Sequence, residues 1–168
     1  MTLARHPVAV GLLFAGAVLW LIAGCATTNH DAGPDVTGGL RLEMFIDSGD
    51  GSYTRYLVKP DGQISFGGGW DARNRDYTWS GPLTDDEIHR LLALIAEYAW
   101  FDRDWPRIGR GEGRTTDITV RQGGRRRSFR VAGEDPAVMP IEELLATAAA
   151  RRHEEFLRTL PKPGLRDD

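Results

Sequence analysis

Residues 40–46, LRLEMFI, place Leu40, Leu42, Met44 and Ile46 on alternate positions, with Arg41, Glu43 and Phe45 between them. A period of two is that of a half-buried strand. SGDG at 48–51 then reads as a turn, and SYTRYLVK leads through Pro60-Asp61-Gly62 into QISFG. A type I turn with Gly62 in the left-handed position gives a three-residue hairpin loop. That loop pairs Lys59 with Gln63, so Val58 faces Ile64 and Tyr56 faces Phe66. A two-residue loop would set Val58 against Ser65 and split the apolar set between faces, so burial favours the longer loop. Residues 67–76, GGGWDARNRD, read as a loop, and DYTWS (76–80) as a short strand.

The period then changes. Thr84 with Glu87 three places later predicts a capping box, and Leu83 with Ile88 the matching hydrophobic staple. Ile88, Leu91, Leu92 and Ile95 form the stripe of a helix over roughly 85–98. TTDITVRQ and RRRSFRV flank Gly123-Gly124, which suits a two-residue type I′ turn. This register sets Ile118 opposite Phe129 and Thr116 opposite Val131, with Asp117 and Arg130 together on the other face. Pro140, the acids Glu142 and Glu143, and the stripe Ile141, Leu144, Leu145, Ala148, Phe156 predict a closing helix over about 140–159. The expected fold is α+β, an antiparallel sheet with two helices packed on one face, in the order β-β-β-β-α-β-β-α.

Ahead of this body, residues 8–24 contain no charged residue and follow MTLARHP, with its single Arg5. A charged start and an apolar run have the form of a secretory signal peptide. The run also approaches the roughly 20 residues of a membrane-spanning anchor. Ile22-Ala23-Gly24-Cys25 resembles the lipobox of bacterial lipoproteins, and Cys25 is the only cysteine in the chain. The resemblance implies cleavage after residue 24, acylation of Cys25 and attachment to the membrane through that lipid anchor. Ala26 stands where an aspartate would resemble an inner-membrane retention signal, so the expected place is the outer membrane, facing the periplasm. Residues 25–39 are then the lipidated cysteine and a flexible tether, 40–160 a single domain, and 161–168 a polar tail. The body, over 40–158, loosely resembles small bacterial lipoprotein and periplasmic domains of uncharacterised role, a resemblance that brings no catalytic residues with it.

A formal net charge of −3 argues against nucleic acid, which wants a concentrated positive surface. His30, His89 and His153 stand apart, without the three or four ligands of a zinc site. Asp47 to Ser52 put Gly49 and Gly51 where a calcium loop needs oxygen ligands. Gly67–Gly69 and GRGEG (109–113) lack the phosphate-loop pattern. No cofactor, metal or catalytic residue is therefore expected.

Aromatic and cationic surface remains. Trp79, Trp100 and Phe101 suit the sheet–helix junction, whereas Trp70 and Trp105 lie in polar, arginine-bearing segments and are expected at the surface. Rigid amphipathic rings beside arginines suit a protein or glycan contact. Arg125, Arg126 and Arg127 add a positive hairpin tip able to meet anionic lipid or an acidic partner. The leading expectation is a non-enzymatic cell-envelope lipoprotein whose domain binds a protein or envelope component. The alternatives are a glycan- or lipid-headgroup-binding module, and a hydrolase whose site is assembled from scattered residues.

Overall fold

The computed structural model describes residues 35–106, 108–109 and 113–159. The expected signal peptide, Cys25, His30, most of the tether and the 161–168 tail lie outside the described residues. Six strands form one antiparallel sheet: β1 (Arg41–Asp47), β2 (Tyr53–Val58), β3 (Gln63–Gly68), β4 (Trp79–Pro82), β5 (Thr115–Gln122) and β6 (Arg125–Ala132). Their spatial order is β4-β3-β2-β1-β5-β6, so β1 lies inside the sheet between two hairpins. Three helices accompany them: α1 (Gly69–Asn74), α2 (Asp85–Glu97) and α3 (Met139–Thr159). The chain order is β-β-β-α-β-α-β-β-α, which corrects the expected order by one helix.

Both hairpins have the expected register. Lys59 N–H donates to the Gln63 carbonyl at 2.9 Å, Gly62 has φ +78°, and Val58 and Tyr56 face Ile64 and Phe66. Gly123 and Gly124 have φ +53° and +79°, and Ile118 faces Phe129. Residues with a side chain require little strain elsewhere, but these glycines occupy backbone that a Cβ disfavours. The α2 cap is also as expected: Glu87 N–H donates to Thr84 Oγ1 at 3.2 Å, and Thr84 N–H to the Glu87 carboxylate at 2.8 Å.

The alternation in β1 sends Leu42, Met44 and Ile46 to one face, where Val58, Ile64, Ile118, Val120 and Val131 join them. Helices α2 and α3 close this layer with Ile88, Leu91, Leu94 and Ile95, and with Ile141, Leu144, Leu145 and Ala148. Leu92, expected in the stripe, is half-buried, and Leu94 is buried instead. Trp100 is fully buried and donates Nε1–H to the Ala137 carbonyl at 3.0 Å, so the largest ring in the core leaves no polar atom unsatisfied. Helix α3 reaches β4 and α2 through Arg151, and the ring of Phe66 through Arg152. One turn further on, Phe156 is 61% exposed, so the expected stripe ends short of it.

Three local expectations are corrected. Residues 35–39 are folded against the sheet rather than forming tether. Thr37 is buried and its hydroxyl lies 3.1 Å from the Pro60 carbonyl and 3.3 Å from that of Leu40, one of which takes its proton, while Asp35 accepts from the N–H groups of Thr37 and Gly39. The segment 67–76 contains α1 rather than a plain loop. Six residues are too short for a helical period to show, and three consecutive glycines read as a breaker. Gly67 is required here because a Cβ would lie 2.3 Å from the Asp76 carbonyl oxygen, where the chain returns across β3. The fourth strand begins at Trp79 instead of Asp76, and its ring lies across Gly81, where a Cβ would come within 2.5 Å of it.

Candidate binding face

The second face of the sheet carries the other half of each alternation. Across β1, β5 and β6 it is built in rows: Arg41–Arg121–Arg126, then Glu43–Thr119–Ser128, then Phe45–Asp117–Arg130. Leu57 continues the second row on β2, and Arg55 the third. Neighbours in the inner rows satisfy one another. Thr119 and Ser128 hydroxyls lie 3.0 Å apart, Ser65 and Ser80 hydroxyls 2.7 Å apart, and Arg130 holds Asp117 with two bonds of 2.6 and 2.7 Å.

Arg55 is the organising group. Only 6% exposed, it gives Nη1–H to Glu43 at 2.5 Å and Nε–H to the carbonyl of Ala72, in α1, at 2.7 Å. Its guanidinium lies 4.4 Å from the centre of the Phe45 ring. Phe45 stacks on Tyr53 at 6.0 Å, and Tyr53 meets Trp70 at 6.3 Å. Arg73 completes the series: its guanidinium lies 5.2 Å from the Tyr53 ring and 5.0 Å from the Trp70 ring, and Nη1–H donates to the Tyr53 hydroxyl at 3.0 Å. Trp70 is 68% exposed on this support. A rigid indole flanked by arginine and tyrosine presents contact area at little entropic cost.

Between the aromatic series and β6 runs a groove of about 510 Å³, lined in part by Glu43, Arg55, Arg75, Asp117, Ser128 and Arg130. Tyr77 belongs to the same electrostatic neighbourhood. Partial burial, and then the Glu43 carboxylate, raise its hydroxyl above the ordinary tyrosine range. Among the described residues no group of three or more His, Cys, Asp or Glu side chains is placed to hold a metal ion.

Trp70 is exposed as expected, but Trp105 is not. The Trp105 ring is 6% exposed, stacked 3.8 Å from Phe129, edge-on to Trp100, with Nε1–H donating to the Trp100 carbonyl at 3.1 Å. It lies on the core side, whereas Trp70 stands with Tyr53 and Phe45 on the other, so no joint Trp70–Trp105 patch exists. A polar flank did not prevent burial because the indole N–H finds a carbonyl and Arg103 covers the ring at 4.7 Å. The arginine triplet also divides. Arg125 pairs with Asp102 at 2.6 Å and covers Phe101, and Arg127 donates to the Arg103 carbonyl at 3.2 Å. Arg126 alone joins the second face. Arg41 and Arg121, beside it, carry no local motif; only the β1–β5 pairing identifies them. A comparison with family models finds none that matches the chain, and a search of curated proteins finds no match.

Proposed function

We propose that the protein is a non-enzymatic, lipid-anchored protein of the cell envelope whose domain binds a protein partner through the face of its sheet opposite α2 and α3, where α1 lies. The observation that carries this reading is Trp70, exposed yet held between Tyr53 and Arg73 on a helix that Arg55 fastens to the sheet. Tryptophan and arginine dominate binding hot spots, and a rigidly supported indole offers contact area at little entropic cost. The anchor rests on the charged start, apolar run and Ile22-Ala23-Gly24-Cys25. A single acyl chain binds a membrane only reversibly, whereas two or more hold permanently.

The test is photo-cross-linking in cells from position 71, beside the ring, with and without Trp70→Ala. Loss of a hot-spot tryptophan weakens binding by about 2 kcal/mol, roughly thirtyfold. Recovery of a defined partner that falls with Trp70→Ala supports the proposal, and recovery indifferent to the substitution overturns it. Purified envelope glycan that quenches Trp70 fluorescence without any protein would replace the protein partner by a glycan. Fatty-acid labelling that survives Cys25→Ala would remove the anchor.

A further inference from the structure

Arg41, Arg121 and Arg126 occupy directly opposed positions on three adjacent strands, and all three are exposed. Opposed residues of antiparallel strands have Cβ atoms about 5 Å apart, and like charges there repel. None of the three makes an ion pair with a described residue, although Arg125 and Arg130 on β6 and Arg55 on neighbouring β2 do. The acids at this end, Asp35 and Asp61, accept from the backbone N–H groups of Thr37, Gly39 and Gln63. Asp85 and Asp86 belong to α2, in the helix layer on the other face. The row is thus three exposed arginines with no direct ion pair to a described residue, in a chain whose formal net charge is −3.

Its position says what it meets. The described chain begins beside the row: Val36 N–H donates to the Pro60 carbonyl at 3.1 Å, and a Cβ on Gly39 would lie 3.9 Å from the Gly123 nitrogen. Ten residue steps lead from Cys25 to Asp35. Fully extended they reach about 35 Å. Trp70 lies at the other end of the strands, beyond Gly68 and next to Tyr53, about 20 Å along β1 from Arg41. We propose that Arg41, Arg121 and Arg126 dock onto anionic phospholipid headgroups, holding the chain-entry end of the domain against the membrane and the Trp70 end away from it. The proposal rests on the lipid-anchor reading for the nearness of the membrane. Acyl chains already supply attachment, so the row supplies orientation. Each arginine near an anionic surface contributes roughly fivefold in surface affinity, and three contribute roughly a hundredfold, lost within a Debye length as salt rises.

The experiment uses the full chain in vesicles of phosphatidylcholine alone or with about 30% phosphatidylglycerol, a fraction set to give the surface a negative potential. Ser48→Cys, in the β1–β2 turn at the far end, carries a fluorophore, and labelled headgroups accept its energy. Transfer is expected to be low on the anionic vesicles. It should rise on pure phosphatidylcholine, in high salt, and in the triple variant Arg41→Gln, Arg121→Gln, Arg126→Gln. Equal transfer in wild type and triple variant on anionic vesicles overturns the proposal. Flotation with pure phosphatidylcholine reads the anchor separately. A chain that does not float there has no anchor, and its retention on anionic vesicles then reads the row directly: wild type held and triple variant released supports it, both released overturns it. Since the variant removes only repulsion, its thermal midpoint should not fall, and a midpoint at or above wild type shows that the fold is intact.

Discussion

The Nε of Arg55 donates to the carbonyl oxygen of Ala72 at 2.7 Å, joining the middle of the sheet to α1. A buried guanidinium is tolerable only while its remaining donors are paired, and Glu43 takes one of them at 2.5 Å. Breaking such a pair from one side leaves an uncompensated buried charge, worth about 3–5 kcal/mol in a fully buried setting. Glu43 is about one-third exposed, so water recovers part of this. Glu43→Ala should therefore destabilise the domain by about 1–3 kcal/mol, read as a lowered denaturant midpoint. Because the same guanidinium holds α1, Trp70 fluorescence should become more easily quenched by iodide in this variant while the domain remains folded.

Trp70 and Trp105 should part company on truncation. Trp105→Ala removes a ring stacked on Phe129 and packed against Trp100, with an expected loss of about 3–5 kcal/mol. Trp70→Ala removes a mostly exposed ring, with an expected loss of less than about 1 kcal/mol. Unfolding curves of the two variants measure the contrast, and equal losses would mean that Trp70 is structural.

Arg121 faces Arg41 on one side and Arg126 on the other. Arg121→Thr relieves both repulsions and introduces a β-branched residue suited to a strand, so stability should rise by a few tenths to about 1 kcal/mol. A raised melting temperature in low salt, with a smaller rise in high salt, is the expected result.

Burial and then the Glu142 carboxylate push the Tyr56 hydroxyl up to about 12. Its unfolded value is near 10, so the folded state holds the proton more tightly. The corresponding stability is complete below pH 10 and is lost as pH rises from 10 to 12. Tyr56→Phe should leave stability at neutral pH little changed and flatten this alkaline loss, as measured by denaturant midpoints across pH 9–12. Tyr77 contributes in the same direction and should leave a residual slope.

Both hairpins were legible because a turn fixes register locally: Pro60-Asp61-Gly62 and Gly123-Gly124 each dictated which residues face one another, and burial chose between alternatives. The α2 cap was legible for the same reason, since Thr84 and Glu87 are three residues apart. The candidate face was not. Phe45 reads as a lone apolar residue on a polar face until β1 is paired with β2 and Tyr53 comes beside it. Arg41 and Arg121 are eighty positions apart in sequence and opposed in space. Trp105 misled because its neighbours are charged, while its burial is decided by Phe129, more than twenty residues away. The residues that failed are those whose surroundings come from distant segments.

Strand β6 forms one border of the sheet, eight residues long with its outer backbone groups unpaired by any strand. Such a border invites a second copy to add itself by strand pairing. If two β6 strands met antiparallel about Ser128, Arg126 of each would stand against Arg130 of the other, and Arg125 and Arg127 would crowd the same seam. The other border is blunted differently, by a strand of four residues that ends in Pro82. If the proposed anchor confines the chain to a surface, copies collide laterally. Along β6 such a collision sets Arg126 and Arg127 of one copy near those of the other, while Arg125 and Arg130 are already held by Asp102 and Asp117. The arginines of one strand thereby oppose strand pairing between neighbours, a device that would leave the proposed Trp70 contact free.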